Sequence, residues 1–261
     1  MRIAGIGHVA FAVILIALGV MGLIKGDFTS VWQPVPKAVP ARELLAYLCA
    51  LVSLTSGIGL LWHRTAAVAA RVLFAFLVLW FLVWRVRALF VATLVEGTWS
   101  AGATLVFVAA AWVLFVLFAT NWDRQRFSFA TGDRALRIAR VLYGLGLIPF
   151  GVAHFMYLKE TVALVPGWLP WHVAWAYVTG GAFIAASLAI LLNVFARLAV
   201  ALSVLQMGLF AVLVWIPHVA AGSMNSFQWG EFVTTLALTA AGWVVLDSYR
   251  RTPWLSIGTR S

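Results

Sequence analysis

Charge is what this chain lacks most. Only 10% of its 261 residues are charged and 64% are hydrophobic. A soluble domain is about one-quarter charged, so there is too little polar surface here to cover a water-soluble globule. A single cysteine, Cys49, excludes an internal disulfide. It lies in an apolar run, where a thiol packs as a small apolar side chain. There is no Cys-x-x-Cys, no glycine-rich phosphate loop and no His-Glu-x-x-His, so dithiol, nucleotide and zinc-hydrolase chemistry have no motif to stand on. No carboxylate lies near the middle of an apolar run. Ion- and proton-coupled transporters keep such groups in the membrane because only function offsets their cost, and coupled transport is therefore disfavoured.

What the chain does have is eight apolar runs, near 3–24, 43–62, 66–90, 100–121, 137–158, 171–192, 195–217 and 228–248. Each is close to the ~20 residues that carry a helix across a bilayer. The expected fold is all-α: a polytopic integral membrane protein of eight transmembrane helices. Trp32, Trp62, Trp99, Trp122, Trp168, Trp171, Trp229 and Tyr249 fall near run ends, as an interfacial aromatic belt requires. The first run is too long for a signal-peptide core and ends in no small-x-small site, so it is expected to remain as a helix.

The sequence repeats itself. "PKAVPARELLAY" (36–47) and "PGWLPWHVAWAY" (166–177) share the form P-x-x-x-P-x-x-x-x-x-A-Y at an offset of 130. The same offset pairs Leu61 with Leu191 and Trp99 with Trp229, and an offset of 132 pairs Gly19 with Gly151. The chain thus divides into a first four-helix repeat (1–121), a basic linker (122–136), a second four-helix repeat (137–248) and a tail (249–261). An even number of spans returns each repeat to the same side, so the repeats are parallel, with their pseudo-twofold axis along the membrane normal. Proline is tolerated where a helix starts, and the two Pro-x-x-x-Pro loops suit either re-entrant hairpins or plain turns.

The net charge of +10 does not point to nucleic acid, because the charges are expected in short loops. Twelve of the eighteen lysines and arginines, Arg2 and Arg260 among them, fall on the side that holds the termini. The positive-inside rule then puts both termini in the cytoplasm, in a cell inner membrane, with both proline loops outside. Arg124, Arg126, Arg134, Arg137 and Arg140 in and beside the linker would attract anionic membrane lipids or dock an acidic soluble protein.

Four stretches carry a resemblance: "ELLAYLCALVSLTSGIGLL" (Glu43–Leu61), "FGVAHF" (Phe150–Phe155), "VPGWLPWHVAWAYVTGGA" (Val165–Ala182) and "ARLAVAL" (Ala196–Leu202). In order and spacing they resemble the DoxX family of small four-helix membrane proteins, here as two fused copies. The resemblance implies a place near quinone chemistry, since some DoxX-type proteins are subunits of thiosulfate:quinone oxidoreductase and others are associated with redox defence. The family's common second-helix glutamate is replaced by Ser53 in the first half and Phe183 in the second, so a role resting on that carboxylate does not carry over.

The candidate ligand-binding residues are His154, Tyr157, Trp168, His172, Tyr177 and His218, all at the outward end of the second repeat. Imidazole and phenol groups gathered there could hydrogen-bond a lipid headgroup or a quinone carbonyl. The same side chains also suit a membrane interface as amphipathic rings with polar tips. No carboxylate or thiol neighbours the histidines in sequence, so no metal is expected. Gly180-Gly181 are expected to permit close helix packing, and Gln206, deep in its run, to need an interhelical partner. Three functions stay open. One is a lipophile-binding protein with no cofactor beyond a bound quinone or lipid. Another is a quinone-linked enzyme subunit fed by a soluble redox partner. The third is a passive transporter of lipids or small molecules. Assembly as an oligomer is open as well.

Overall fold

The computed structural model describes residues 5–258; Arg2, Arg260 and the start of the first run lie outside them. Among the described residues, eight helices long and apolar enough to cross a bilayer follow one another. They are α1 (Ile6–Lys25), α2 (Arg42–Leu61), α3 (Ala66–Val91), α4 (Leu94–Phe118), α5 (Gly132–Met156), α6 (His172–Leu191), α7 (Ala196–Ala220) and α8 (Ser226–Asp247). The all-α polytopic fold is the one the composition requires. Helices α4 and α5 begin five to six residues before their apolar runs. Thr93 caps α4 by accepting the Glu96 N–H, and α5 opens with exposed Asp133, Arg134 and Arg137, which hydropathy alone reads as loop.

The repeat is written into the backbone. Helices α2 and α6 start and stop 130 positions apart, and both follow a residue in the left-handed region, Ala41 (φ 51°) and Trp171 (φ 56°). Helices α3 and α7 each loosen into one π turn, Phe81–Arg85 and Ala211–Trp215, again 130 apart.

Each helix packs on the next in sequence, and α8 closes the circuit on α1. The circuit is pinched in the middle, where α4 and α8 touch. Each repeat therefore lends its last helix to the other: α4 lies along α5, and α8 lies along α1. Small residues allow these approaches, as membrane helices require. A Cβ on Gly102 or on Gly146 would stand 2.8 Å from the other's carbonyl oxygen. One on Gly7 would meet the Trp243 carbonyl carbon at 2.5 Å. The buried face of each helix meets a shared core (Phe11, Leu15, Leu73, Phe107, Leu147, Phe150, Val200, Val244). Outward, Leu44, Ile58, Leu82, Val178, Leu188 and Leu202 are exposed, which suits lipid as solvent.

The end that carries both termini is tied by arginines. Arg71 pairs with Asp123 at 2.6 Å and stacks over Trp122. Arg140 donates to the Ser248 hydroxyl and carbonyl and lies 3.9 Å over Tyr249. Arg197 holds the Arg250 and Thr252 carbonyls and lies 3.9 Å over Trp254. Burial pushes the Asp123 carboxyl up, but the Thr120 hydroxyl and N–H together with Arg71 outweigh it and hold it below the usual carboxylate range. Two expectations are corrected here. Charges are not confined to loops, since Arg71, Arg85, Arg140 and Arg197 all sit within helices. Trp32 and Tyr249 are buried, each 2% exposed, and are not belt residues.

Candidate functional site

At the end opposite the termini, the second half carries all six expected ligand-binding residues. His154, in the last turns of α5, donates its Nδ1–H to the Phe150 carbonyl at 2.7 Å, which leaves Nε2 as the acceptor. Its ring stacks on Phe210 (centroids 5.8 Å apart) and tilts against Phe183 (5.5 Å). Phe150 in turn meets Trp99 at 4.7 Å and Phe183 at 5.8 Å. An aromatic layer thus spans α4, α5, α6 and α7, with His154 as its one imidazole. Among the described residues, the other five are not hydrogen-bonded to one another. His218 bonds the Val214 carbonyl of its own helix and meets Trp215 edge-on. Tyr177 stacks on Phe155 and is exposed. Tyr157 ends α5 exposed, Trp168 is 71% exposed in the loop, and His172 opens α6 half-buried. Among the described residues, no three His, Cys, Asp or Glu side chains are placed to share a metal ion.

Deeper in the same half, a cavity of about 270 Å³ opens between α6 and α7. Its α6 wall is Ala182, Ala185, Ala186 and Ala189, and its α7 wall runs from Phe195 through Leu198, Ala199 and Leu202 to Ser203 and Gln206. Alanines at i, i+3, i+4 and i+7 share one helix face, so that face of α6 has no bulk to offer its neighbour. The Gln206 amide donates to the Thr179 carbonyl at 3.0 Å and bridges the helices at the inner end. Ser203 is engaged by the buried Tyr143 hydroxyl at 2.9 Å. The corresponding pair in the first half is tight, because a Cβ on Gly59 would fall 2.8 Å from that of Ala69. The interhelical partner of Gln206 and the packing of Gly180 against His154 and Phe155 match the sequence expectations, whereas Gly181 faces open space. The alanine spacing was a legible signal for this groove, and it was missed.

The first half ends differently. Its 26–41 segment turns inward and buries Phe28, Val31, Trp32 and Val35. In the second half the corresponding stretch is a short helix, Leu158–Leu164, with no buried residue. Trp80 of α3 receives Phe28 at 5.8 Å and Trp32 at 5.2 Å. One turn further along α3 lies Arg85, 1% exposed and, among the described residues, with no carboxylate partner. Its Nε donates to Thr104 (2.8 Å), Nη1 to the Pro34 carbonyl (3.2 Å), and Nη2 to the carbonyls of Gln33 (2.7 Å) and Val31 (3.5 Å). The corresponding residue of the second half is Trp215, whose indole donates to Thr235 at 3.2 Å. In sequence, Arg85 counts with the charges opposite the termini, although the apolar run 66–90 includes it.

No known family model, curated protein or solved structure matches this chain.

Proposed function

We propose that this protein binds a lipophilic small molecule in the membrane, and that its second half seats the acyl or isoprenoid chain of a lipid or quinone between α6 and α7. The observation that carries this reading is the alanine-walled groove. It is far larger than the space one water needs, and an apolar cleft with a few polar groups at one end is the common form of a small-molecule site. Gln206 Oε1, which has no protein bond among the described residues, would accept from a ligand hydroxyl. His154 and His218 would serve the polar end of a ligand long enough to pass the Gln206–Thr179 bridge. The DoxX resemblance supports the same class of ligand. Exposed Arg64, Arg124, Arg126, Arg134, Arg137 and Arg251 at the end holding the termini support a cytoplasmic, anionic-lipid-facing orientation in an inner membrane. Those arginines also favour a second reading, in which an acidic soluble redox protein docks there and the chain is the membrane subunit of a quinone-linked complex.

The test is mass spectrometry of the organic extract of protein purified in mild detergent. Wild type would be compared with Ala186→Trp, which fills the groove, and with His154→Ala/His218→Ala. The expected result is a stoichiometric lipophile lost from Ala186→Trp and retained by the histidine variant. Loss from the histidine variant alone would move the site to the outer aromatic layer. Bulk phospholipid in equal amounts from all three would sink the proposal.

A further inference from the structure

We propose that the first half holds a closed anion site: Arg85 is the counter-charge for the carboxylate or phosphate of an amphiphile, and the 26–41 segment is the plug that fills the site until such a group displaces it. The proposal does not depend on the second-half groove.

The charge comes first. A guanidinium taken out of water is costly unless an anion accompanies it, and within a membrane such groups mark function. Arg85 is enclosed, yet every bond it makes goes to a neutral oxygen. These oxygens engage four of its five N–H hydrogens but do not balance its charge. Their geometry is informative. Two successive carbonyls, Gln33 and Pro34, are taken one by each arm of the guanidinium. That is the fork that carboxylate and phosphate oxygens fit, so the plug supplies a neutral copy of the missing anion.

The plug's seat is also unfinished. Trp32 Nε1, Trp80 Nε1, Thr29 Oγ1 and Arg42 Nε are all buried without a hydrogen-bond partner. They lie in the plug, against it or at its base, and each can donate to an oxygen acceptor. An apolar cavity of about 10 Å³ lined by Val31, Trp32, Leu73 and Leu77 adjoins Trp32, which is room for one water at most. The plug must move for anything larger to enter. Its base is held by a surface ion pair, Asp27–Arg42 at 2.7 Å with both partners partly exposed, and such pairs contribute little. What keeps it seated is the burial of Phe28, Val31, Trp32 and Val35. A bare ion would leave that apolar space empty, whereas an amphiphile's chain would refill it, and that argument selects the amphiphile.

Cys49 gives the readout. It is the chain's one cysteine and is wholly buried on α2. A Cβ on Gly22 would meet Ala50, the residue after Cys49, at 2.8 Å and Thr29 of the plug at 3.8 Å. The full chain in detergent would be treated with a maleimide, and Cys49 labelling followed by intact-mass spectrometry with dodecyl phosphate, dodecanol or inorganic phosphate present. Dodecyl phosphate is expected to speed labelling about tenfold and dodecanol to leave it unchanged. Arg85→Gln is expected to remove the response. Asp27→Asn, a surface change that spares the fold if Arg85→Gln does not, should lower the concentration needed about two- to fivefold. Acceleration by inorganic phosphate alone would keep the anion site and make its ligand a free ion. The proposal is overturned if dodecanol acts equally, if Arg85→Gln still responds, or if neither phosphate changes the rate.

Discussion

The exchange of fourth helices rests on the crossing of α4 and α5, and two glycine substitutions test it. A Cβ on Gly146 would stand 2.8 Å from the Gly102 carbonyl oxygen and 2.9 Å from a Val106 methyl, where ordinary contact begins at 3.4 Å. Both obstacles belong to α4, one of them to its backbone, so Gly146→Ala must push the helices apart by roughly half an ångström. Overpacking of this kind costs about 1–3 kcal/mol. Gly181, on the outer face of α6, has nothing within 4 Å of its missing Cβ. Each change to alanine brings the same intrinsic gain in helix preference, up to ~1 kcal/mol, and subtracting one variant from the other isolates the steric cost. At about 2–4 °C per kcal/mol for a chain of this size, Gly181→Ala should melt several degrees above Gly146→Ala. Circular dichroism of the detergent-solubilised protein against temperature would measure it. The Gly102→Ala/Gly146→Ala double variant should lose less than the sum of the singles, since helices already parted accept the second methyl cheaply. Equal melting of Gly146→Ala and Gly181→Ala would refute the crossing at these glycines.

Asp123 is held below the usual carboxylate range in the folded chain, so its contribution is complete above its unfolded pKa and is lost as pH falls through the folded one. The stability gap between wild type and Asp123→Asn, read by thermal unfolding across pH, should be open at neutrality and close below about pH 4. Gln206→Leu removes the bridge to Thr179 and should destabilise by about 0.5–1.5 kcal/mol in the same melt, with no change in helix content. The 1–121 fragment contains α4 but not α8, the helix that closes on α1. Expressed alone it should pair or aggregate, and co-expression with 122–261 should restore a complex that co-purifies. A monomeric, stable 1–121 fragment in size-exclusion chromatography would contradict the exchange.

The eight helices and the 130-residue period could be read directly, because a lipid-crossing run and a repeated proline phrase are local signals. The paired π turns and the paired left-handed residues at Ala41 and Trp171 follow the same period. What could not be read was which helix meets which. Helices apolar on every side give no preferred face, so the pairing is decided by where small residues such as Gly7, Gly102 and Gly146 let backbones approach, and their partners lie far away in sequence. Arg85 shows the limit most clearly. Its acceptors at Val31, Gln33 and Pro34 are about fifty positions upstream, and no pattern around Arg85 itself reports them. The second half's aromatics and histidines gather at the end opposite the termini, but the sequence does not encode that His154 sits inside a stack while Trp168 and Tyr157 stand outside it.

The two halves have diverged by moving volume between loop and helix. At corresponding positions the first half carries Gly22, Ser53, Trp80 and Arg85, and the second carries His154, Phe183, Phe210 and Trp215. Trp80 is covered by Phe28 and Trp32, which the loop delivers. Phe210 is covered by His154 and Phe183, which the helices deliver. Once a helix supplies the rings, the loop has no space to enter, and the second half's proline loop lies outside its bundle. Once glycine and serine leave the space open, the loop must fill it, and its carbonyls then need donors, which Arg85 provides. The arginine and the inward loop are therefore one feature. Placing the 26–41 sequence at 156–171 would not reproduce the plug, because its rings would collide with His154 and Phe183 and its carbonyls would face the single donor of Trp215.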